Sequence, residues 1–591
     1  MEPAATARGR STLRADERFV IGSGASGDWQ PPDGLACDPV PWGGSGHREQ
    51  VLDFGVPPAA YAAPAVTVRA DSAHSGAMAP EASAASRAGQ RRRFTRMPWP
   101  MLAVLAAQAG LSIRLLWVNT AFMDEGQYLW TGHLEITHLL YHVPIPQAQE
   151  FLSGAPVLYP IIGAIADSYG GLTAARLLSL VFMLAATTLL YLTTSRLFGR
   201  RAGVAAAAVF AALGPVQALG VFATYDPMAI FLLALSAWLT VRARGRAAEL
   251  LLLAAALVMA LADATKYAAG LWDPVIISLA ALTSGQRAFW SVLRGLRMTV
   301  YVAAPLLAAL FRLGGPAYIH GVMVTTVDRQ LGDDTASVAS VAHVTSSLIG
   351  VLLIFGVVAF LVSFTDTVRT RLLCGVLVFG GLLAPLHQAQ IHVLTSLPKH
   401  LAFGAWFCAI AVGYLLARTA DEWQPKGWRV GVGAAAIIAA IGIPQAGAFF
   451  QVWPSSARMI PVMRSLVRDA GCPCLVTQEY VVYYYLATLV RPGELTGPFY
   501  YAAFDNQSHR EIIGTPAYQW AIRNHYFHVV EIDPAESPSL AAPVETTLAT
   551  TAGYRLAAII PIPGWDGGRT ELWVYQPRGH RSSRRLRASP P

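Results

Sequence analysis

Two adjacent carboxylates, Asp124 and Glu125, stand in the run Phe122-Met123-Asp124-Glu125-Gly126-Gln127-Tyr128, just past an apolar segment. The stretch Asn119 to Gly171 around them contains no Lys or Arg. Carboxylates partly withdrawn from water without a neighbouring cation are costly, so their presence needs a cause. A general base with a partner that orients substrate or ion is one such cause. A solvated acidic turn capping the following helix is the other.

Cations are scarce elsewhere too. The chain has three lysines, and two of them, Lys266 in Asp263-Ala264-Thr265-Lys266-Tyr267 and Lys399 in Pro398-Lys399-His400, fall at the ends of apolar segments. Such positions suit a membrane-embedded phosphate, although a lysine there can also simply snorkel to the headgroups. Arg176 lies one turn inside an apolar run, where a charge requires a partner. A base, a set of cations and no strong acid is what displacement of a good leaving group such as a lipid phosphate requires.

His138 and His142 stand four apart, on one helical face, and a metal site with Glu125 or Glu135 is conceivable on that spacing. No tight ligand cluster is visible, so no metal is assigned and no cofactor is required. The aromatic residues Tyr128, Trp130, Tyr141 and Tyr159 can stack on sugar or grip isoprenoid, or can sit where Tyr and Trp ordinarily gather at a membrane interface.

The elements that position these residues are transmembrane helices. Of 591 residues, 54% are hydrophobic and 14% charged, against roughly 25% charged in ordinary soluble domains. About eleven apolar runs are long enough to cross a bilayer: Met101–Val118, Leu172–Leu192, Ala202–Leu219, Tyr225–Val241, Ala247–Ala262, Tyr267–Leu282, Met298–Leu313, Val344–Phe364, Leu372–Pro385, Leu401–Ala417 and Val430–Phe450. Alternate loops hold about eighteen basic residues, including Arg91 to Arg93, Arg200, Arg201, Arg244 and Arg418, against about three in the others. That asymmetry places the N-terminus in the cytoplasm and both the Asp124 loop and the C-terminal region outside. The net charge of +8 thus belongs to membrane orientation, and no nucleic-acid partner is implied. Within the first outer loop, Ala155 to Ala166 is apolar but short, and is expected to lie along the interface or re-enter.

The chain divides into a disordered cytoplasmic tail (1–96), a polytopic membrane domain (97–450), a small α/β domain outside the membrane (451–577) and a basic disordered tail (578–591). In the third part, Leu475–Thr477, His528–Ile532 and Thr570–Tyr575 read as strands and Ala457–Asp469 as a helix. The Tyr-rich run Glu479 to Tyr485 is either that domain's own core or a contact for an acceptor glycan. The five cysteines form no zinc pattern, and Cys472-Pro-Cys474 would make a very tight disulfide, so two free or oxidised thiols are expected. The loop Gly314 to His343, with Asp328, Arg329, Asp333 and Asp334, is long enough for a lid and equally fits a connector.

The run Met123 to Tyr128, the stretch Leu172-Thr173-Ala174-Ala175-Arg176-Leu177-Leu178-Ser179, and the later Phe222-Ala223-Thr224-Tyr225-Asp226 and Ser396 to Gly404 resemble the GT-C membrane glycosyltransferases. The branch they look most like holds bacterial relatives of the protein O-mannosyltransferases and the aminoarabinose lipid transferase. The resemblance covers Met101 to Phe450. It implies an enzyme of the lipid bilayer that transfers a sugar, mannose or arabinose, from a polyprenyl-phosphate donor to a protein, glycolipid or polysaccharide acceptor outside, with inversion. Asp124 would be the base and Glu125 its neighbour in the acceptor or cation site. Lys266, Lys399 and Arg176 would hold the donor phosphate, and Tyr128, His133, Asp226 and His400 would contact substrate. The family often has Ala after the acidic pair; Gly126 stands there in this chain, which implies a looser loop. Two other readings stay open: a polar-lipid transporter or flippase, which should show paired halves and mid-span ionisable residues, and a non-catalytic assembly protein that docks through its C-terminal domain.

Overall fold

A computed structural model of the protein describes residues 98–576, apart from 151, 327–335, 423–427, 499–500, 506–509, 535–536 and 563–567. Both expected tails, 1–96 and 578–591, lie outside the described residues, as do the four charged residues of the proposed lid.

Each of the eleven apolar runs is helical over most of its length. In chain order the helices of the first half are α1 (Trp99–Ile113), α2 (Met123–Tyr141), α3 (Tyr159–Phe198), α4 (Arg200–Ala212), α5 (Gly214–Leu219), α6 (Tyr225–Arg242), α7 (Ala248–Thr265), α8 (Asp273–Leu282) and α9 (Ala288–Ala309). They continue with α10 (Gly315–Thr326), α11 (Val338–Val362), α12 (Val368–Gln390), α13 (Leu397–Glu422) and α14 (Trp428–Phe449). Among the described residues, seven helical segments are long and apolar enough to cross a membrane: Tyr159–Phe198, Gly245–Thr265, Ala288–Arg312, Val338–Thr365, Val368–Gln390, Leu397–Glu422 and Arg429–Phe449. The chain is therefore a multi-pass membrane protein, but the count of eleven is met only in part. The α1 helix and the segment Tyr267–Leu282 are short, and Ala202–Leu219 is broken at the extended residue Leu213, ahead of Pro215 at the start of α5.

The α3 helix joins two of the expected pieces. Its first part, Tyr159 to Tyr169, takes up most of the short apolar stretch Ala155 to Ala166, with Ile162, Ile165 and Tyr169 exposed. It meets the spanning part at Gly170-Gly171, where the backbone leaves helical geometry and Gly171 takes φ 61°, a conformation that favours glycine. The lid segment differs from expectation as well: Gly315–Thr326 is a helix rather than part of a continuous loop.

The α13 helix runs through the centre of the membrane domain and is buried along its apolar length. Its small residues let neighbouring backbones approach, as transmembrane interfaces favour. Trp406 on this helix donates its indole N–H to the Ala186 carbonyl of α3 at 3.0 Å, and Trp272 donates to the Gly380 carbonyl of α12 at 2.9 Å. Polar tips are thus satisfied inside an apolar core. The turn that launches α13 holds two non-glycine residues in the left-handed region, His392 (φ 51°) and Ser396 (φ 68°), and Ser396 accepts the first backbone bonds of the helix from Lys399 and His400. Strain of this kind collects beside functional groups, and here it immediately precedes two candidate site residues.

The C-terminal region is α/β. It comprises α15 (Met459–Ala470), β1 (Cys474–Val476), α16 (Glu479–Leu486), β2 (Leu495–Thr496), β3 (Ala502–Asp505), β4 (Arg510–Ile513), α17 (Thr515–Arg523), β5 (Val529–Ile532), α18 (Pro538–Thr550), β6 (Tyr554–Pro561) and β7 (Arg569–Tyr575). Five strands form a mixed sheet in the order β2-β1-β5-β7-β6, parallel across the first three and antiparallel beyond, and β3 and β4 pair separately. The two-residue period of β5 sends Val529 to the face covered by α15 and α16 and Val530 and Ile532 to the face covered by α17 and α18. The run Glu479 to Tyr485 is a helix of the region's own core, with Val481, Val482 and Tyr483 buried. Cys472 and Cys474 form a disulfide, contrary to the expected thiols: the chain turns back at Pro473 and brings their Cα atoms to 4.8 Å, within disulfide range.

Candidate active site

Asp124 and Glu125 occupy the first turn of α2, side by side in sequence and opposite in environment. Glu125 is fully buried and its four acceptor positions are filled. Oε1 accepts from Arg176 Nε at 2.9 Å and the Ala223 backbone N–H at 2.9 Å; Oε2 accepts from Arg176 Nη2 at 2.7 Å and the Phe122 N–H at 3.0 Å. Arg176 is equally saturated. Its Nη1 donates to the carbonyls of Leu116 (2.8 Å) and Asn119 (2.9 Å), and Nη2 also reaches Thr120 O at 3.1 Å, so all five of its N–H donors are engaged. The pair ties the loop 119–125 to α3 and to the turn before α6. This corrects two expectations. Arg176 has no donor left for a phosphate, and Glu125 has no lone pair left for an acceptor or a cation.

Asp124 is the accessible carboxylate. Its Oδ2 accepts from Lys399 Nζ at 2.5 Å, and the two side chains retain 18% and 10% exposure. Lys399 comes from the first turn of α13, 275 residues away, so the pair closes only when α2 and α13 pack. Asp226, in the first turn of α6, is the next charge. It pairs with Lys266 at the end of α7 and accepts from Thr224 Oγ1 at 2.9 Å. Lys399 lies within electrostatic reach of Asp226 as well as Asp124, so Asp124, Lys399, Asp226 and Lys266 form a chain of alternating sign.

Lys266 is held by backbone geometry. The segment 153–155 pairs with it on both sides, Ala155 N–H to Ala264 O at 2.8 Å and Tyr267 N–H to Ser153 O at 3.0 Å. Gly154 permits this approach, since a Cβ there would stand 2.1 Å from the Thr265 carbonyl oxygen. The ammonium lies 4.8 Å from the centre of the Tyr225 ring and 5.8 Å from that of Phe403, and is almost wholly buried. Tyr128, one turn along α2 from Asp124, stacks on Tyr225 with ring centres 4.4 Å apart and meets Tyr159 edge-on. His400 is buried beside Lys399, its Nδ1 3.3 Å from Gln388 Nε2.

Of the nine expected site residues, the structure gathers Asp124, Lys399, Asp226, Lys266, Tyr128 and His400, and assigns Glu125 and Arg176 to the framework beside them. His133 stands apart. Nine residues along α2 amount to a rise of roughly 13 Å, and its Nε2 instead meets Asp167 Oδ2 at 2.8 Å. Asp167 also accepts from Tyr484 of α16 at 2.6 Å. Gln388, Thr224 and Tyr225 complete the site without having been singled out. The last two sit in a stretch that carried the resemblance, whereas Gln388 gives no sequence signal. Among the described residues no three of His, Cys, Asp or Glu gather closely enough to hold a metal ion.

Gly126 is explained by the C-terminal α/β region. A Cβ at this position would lie 2.7 Å from the carbonyl oxygen of Tyr480 in α16. The glycine therefore brings α2 and α16 into close contact, rather than loosening the loop. Trp130 of α2 stacks on Tyr483 with ring centres 4.2 Å apart and belongs to the core of the C-terminal α/β region.

Comparison with known proteins agrees with this architecture. A family model described as dolichyl-phosphate-mannose-protein mannosyltransferase matches residues 155–311, which include Arg176, Asp226 and Lys266. No curated protein sequence matches the chain. The structure of ArnT from Cupriavidus metallidurans bound to undecaprenyl phosphate superposes with a TM-score of 0.56 at 13% identity, covering 80% of this chain and 97% of that one. The same protein in its apo state gives 0.52 at 14% identity, covering 80% and 97%. The oligosaccharyltransferase of Archaeoglobus fulgidus in its apo form gives 0.52 at 12% identity, covering 81% of this chain and 75% of that one. The chain thus has the GT-C fold of these membrane glycosyltransferases, and it resembles the branch of ArnT and the protein mannosyltransferases.

Proposed function

We propose that this protein is an inverting glycosyltransferase that moves a sugar from a polyprenyl-phosphate donor to an acceptor hydroxyl at the outer face of the membrane. The single observation that carries the reading is the Asp124–Lys399 pair. It puts a partly exposed carboxylate against a largely buried ammonium, next to the fully buried pair of Asp226 and Lys266. The fold shared with a protein whose structure holds undecaprenyl phosphate supports the donor class. The loop-charge asymmetry supports the orientation, with the N-terminus in the cytoplasm and the α/β domain outside.

In this reading a donor phosphate oxygen takes Lys399 as its partner, drawing the ammonium from Asp124 and leaving that carboxylate free to act as base. Asp124 accepts the proton of the acceptor hydroxyl while the hydroxyl oxygen attacks the anomeric carbon from the face opposite the phosphate. The bond between that carbon and the phosphate oxygen breaks, and the electron pair leaves with the lipid phosphate, whose charge Lys399 stabilises. Lys266, buried and fixed to Asp226, adds positive potential without contacting the donor. Tyr128 and His400, packed beside these charges, are the residues this reading puts against the sugar. Mannose and arabinose are the sugars favoured by the resemblance, mannose first, and the mechanism asks for no metal.

The test is transfer by the purified protein in liposomes given polyprenyl-phosphate mannose or polyprenyl-phosphate arabinose, labelled in the sugar, together with an extract of envelope acceptors. Label moving into the acceptor fraction with inverted anomeric configuration supports the reading. Both donors surviving intact overturns it.

A further inference from the structure

The α16 helix of the outer domain touches the loop that carries Asp124 at the level of the backbone. Ala121, three residues before Asp124, is buried, and its N–H donates to the hydroxyl of Tyr485 at 3.0 Å. Tyr485 is itself anchored, because its main-chain carbonyl accepts from Arg464 of α15 at 2.7 Å. The segment leading into the outer domain grips the preceding residues: Asn119 Nδ2 donates to the carbonyls of Phe450 (2.9 Å) and Trp453 (3.0 Å), and Ser456 N–H donates to Thr120 Oγ1 at 2.9 Å. The loop 119–125 is therefore fixed from the membrane domain by Glu125 and Arg176, and from the outer domain by Tyr485. A buried N–H must have an acceptor, and the Tyr485 hydroxyl supplies it.

We infer that Tyr485 is a positioning residue for Asp124, and that the outer domain is part of the catalytic device rather than an appended module. The inference rests on Asp124 being the base. Without its acceptor the Ala121 N–H must turn toward water, which shifts the first turn of α2 and moves the Asp124 carboxylate from the place where it meets both Lys399 and an acceptor hydroxyl. Sub-ångström placement of a base governs turnover far more than donor affinity. The donor-binding ammonium of Lys399 belongs to another helix and does not move with the loop.

The experiment compares Tyr485→Phe with Tyr484→Phe, which removes a hydroxyl from the same helix but breaks only the bond to Asp167. Initial rates are measured with labelled polyprenyl-phosphate mannose or arabinose, whichever the wild type uses, per amount of monodisperse protein. The expected result is a fall in kcat of about tenfold for Tyr485→Phe, the scale of a buried donor left unsatisfied, with donor KM unchanged and Tyr484→Phe within about twofold of wild type. In an Asp124→Asn background, Tyr485→Phe should cause no further loss, since a positioning residue has nothing left to position. Unchanged kcat in Tyr485→Phe overturns the inference, and so does an equal loss in both tyrosine variants, which would mark general damage to the domain. If Asp124→Asn alone keeps full transfer, the reading of the base has failed, and that outcome is seen independently of either tyrosine.

Discussion

Arg176 and Glu125 meet through two parallel hydrogen bonds of 2.9 and 2.7 Å, and each fills its remaining hydrogen-bonding capacity with main-chain groups of the surrounding loops. Both side chains are buried, at 1% and 0% exposure. Breaking such a pair from one side leaves an uncompensated charge, at a cost of about 3–5 kcal/mol. Arg176→Met and Glu125→Gln should therefore lower the yield and thermal stability of detergent-solubilised protein. The fraction that stays folded should show an unaltered donor KM. A raised donor KM without loss of stability would return Arg176 to the phosphate site.

The two lysines should separate cleanly. Lys399 keeps 10% of its side chain exposed and pairs with a carboxylate that keeps 18%, so Lys399→Ala should raise the donor KM by about tenfold or more, the scale of a lost charge-assisted hydrogen bond. Lys266 is buried against Asp226, so Lys266→Met should chiefly destabilise the membrane domain by stranding that carboxylate. Donor kinetics of both variants, beside their melting temperatures, check this division.

Gly126→Ala places a methyl group 2.7 Å from the Tyr480 carbonyl oxygen. Backbone cannot yield as a flexible side chain does, so the helices α2 and α16 must part, at a cost of about 1–3 kcal/mol. Reduced transfer and earlier unfolding of the C-terminal α/β region should appear together. Wild-type behaviour in both would show that the contact is dispensable.

Much of the membrane domain was legible in the sequence, because long apolar runs and the basic loops between them are local, composition-level signals. What pairs with what was not. The partners of Glu125, Asp124 and Asp226 lie 51, 275 and 40 residues away, and a charge beside an apolar run looks the same in sequence whether it faces substrate or a neighbouring helix. Asp124 and Glu125 therefore look alike in sequence, although packing saturates Glu125 and leaves Asp124 partly exposed. The strands β1, β5 and β7 showed through their β-branched runs. The Tyr-rich α16 did not resolve, since Glu479 to Tyr485 is apolar or aromatic at almost every position and fits both periods. Its link to the Asp124 loop depends on the hydroxyl of Tyr485, one of four tyrosines within six residues.

The C-terminal α/β region should also report on pH. Burial pushes the carboxyls of Glu479 and Glu531 up to about 7, and Asp533 adds to the effect at Glu531. Both bind a proton more tightly folded than unfolded, so their contribution to stability is complete below the ordinary value of 4.5 and is lost as pH rises through about 7. The domain should melt at a higher temperature at pH 5.5 than at pH 8. Glu531→Gln should flatten that dependence, and an unchanged slope would remove Glu531 from it.

The most direct test of the central claim is transfer of label from polyprenyl-phosphate mannose or arabinose in membranes that hold equal amounts of wild-type protein or Asp124→Asn. The substitution keeps the size of the side chain and removes its ability to take a proton. The account predicts transfer by the wild type and a loss of at least about a hundredfold with Asp124→Asn, the lower end of what a general base contributes. Equal transfer by both proteins would contradict it.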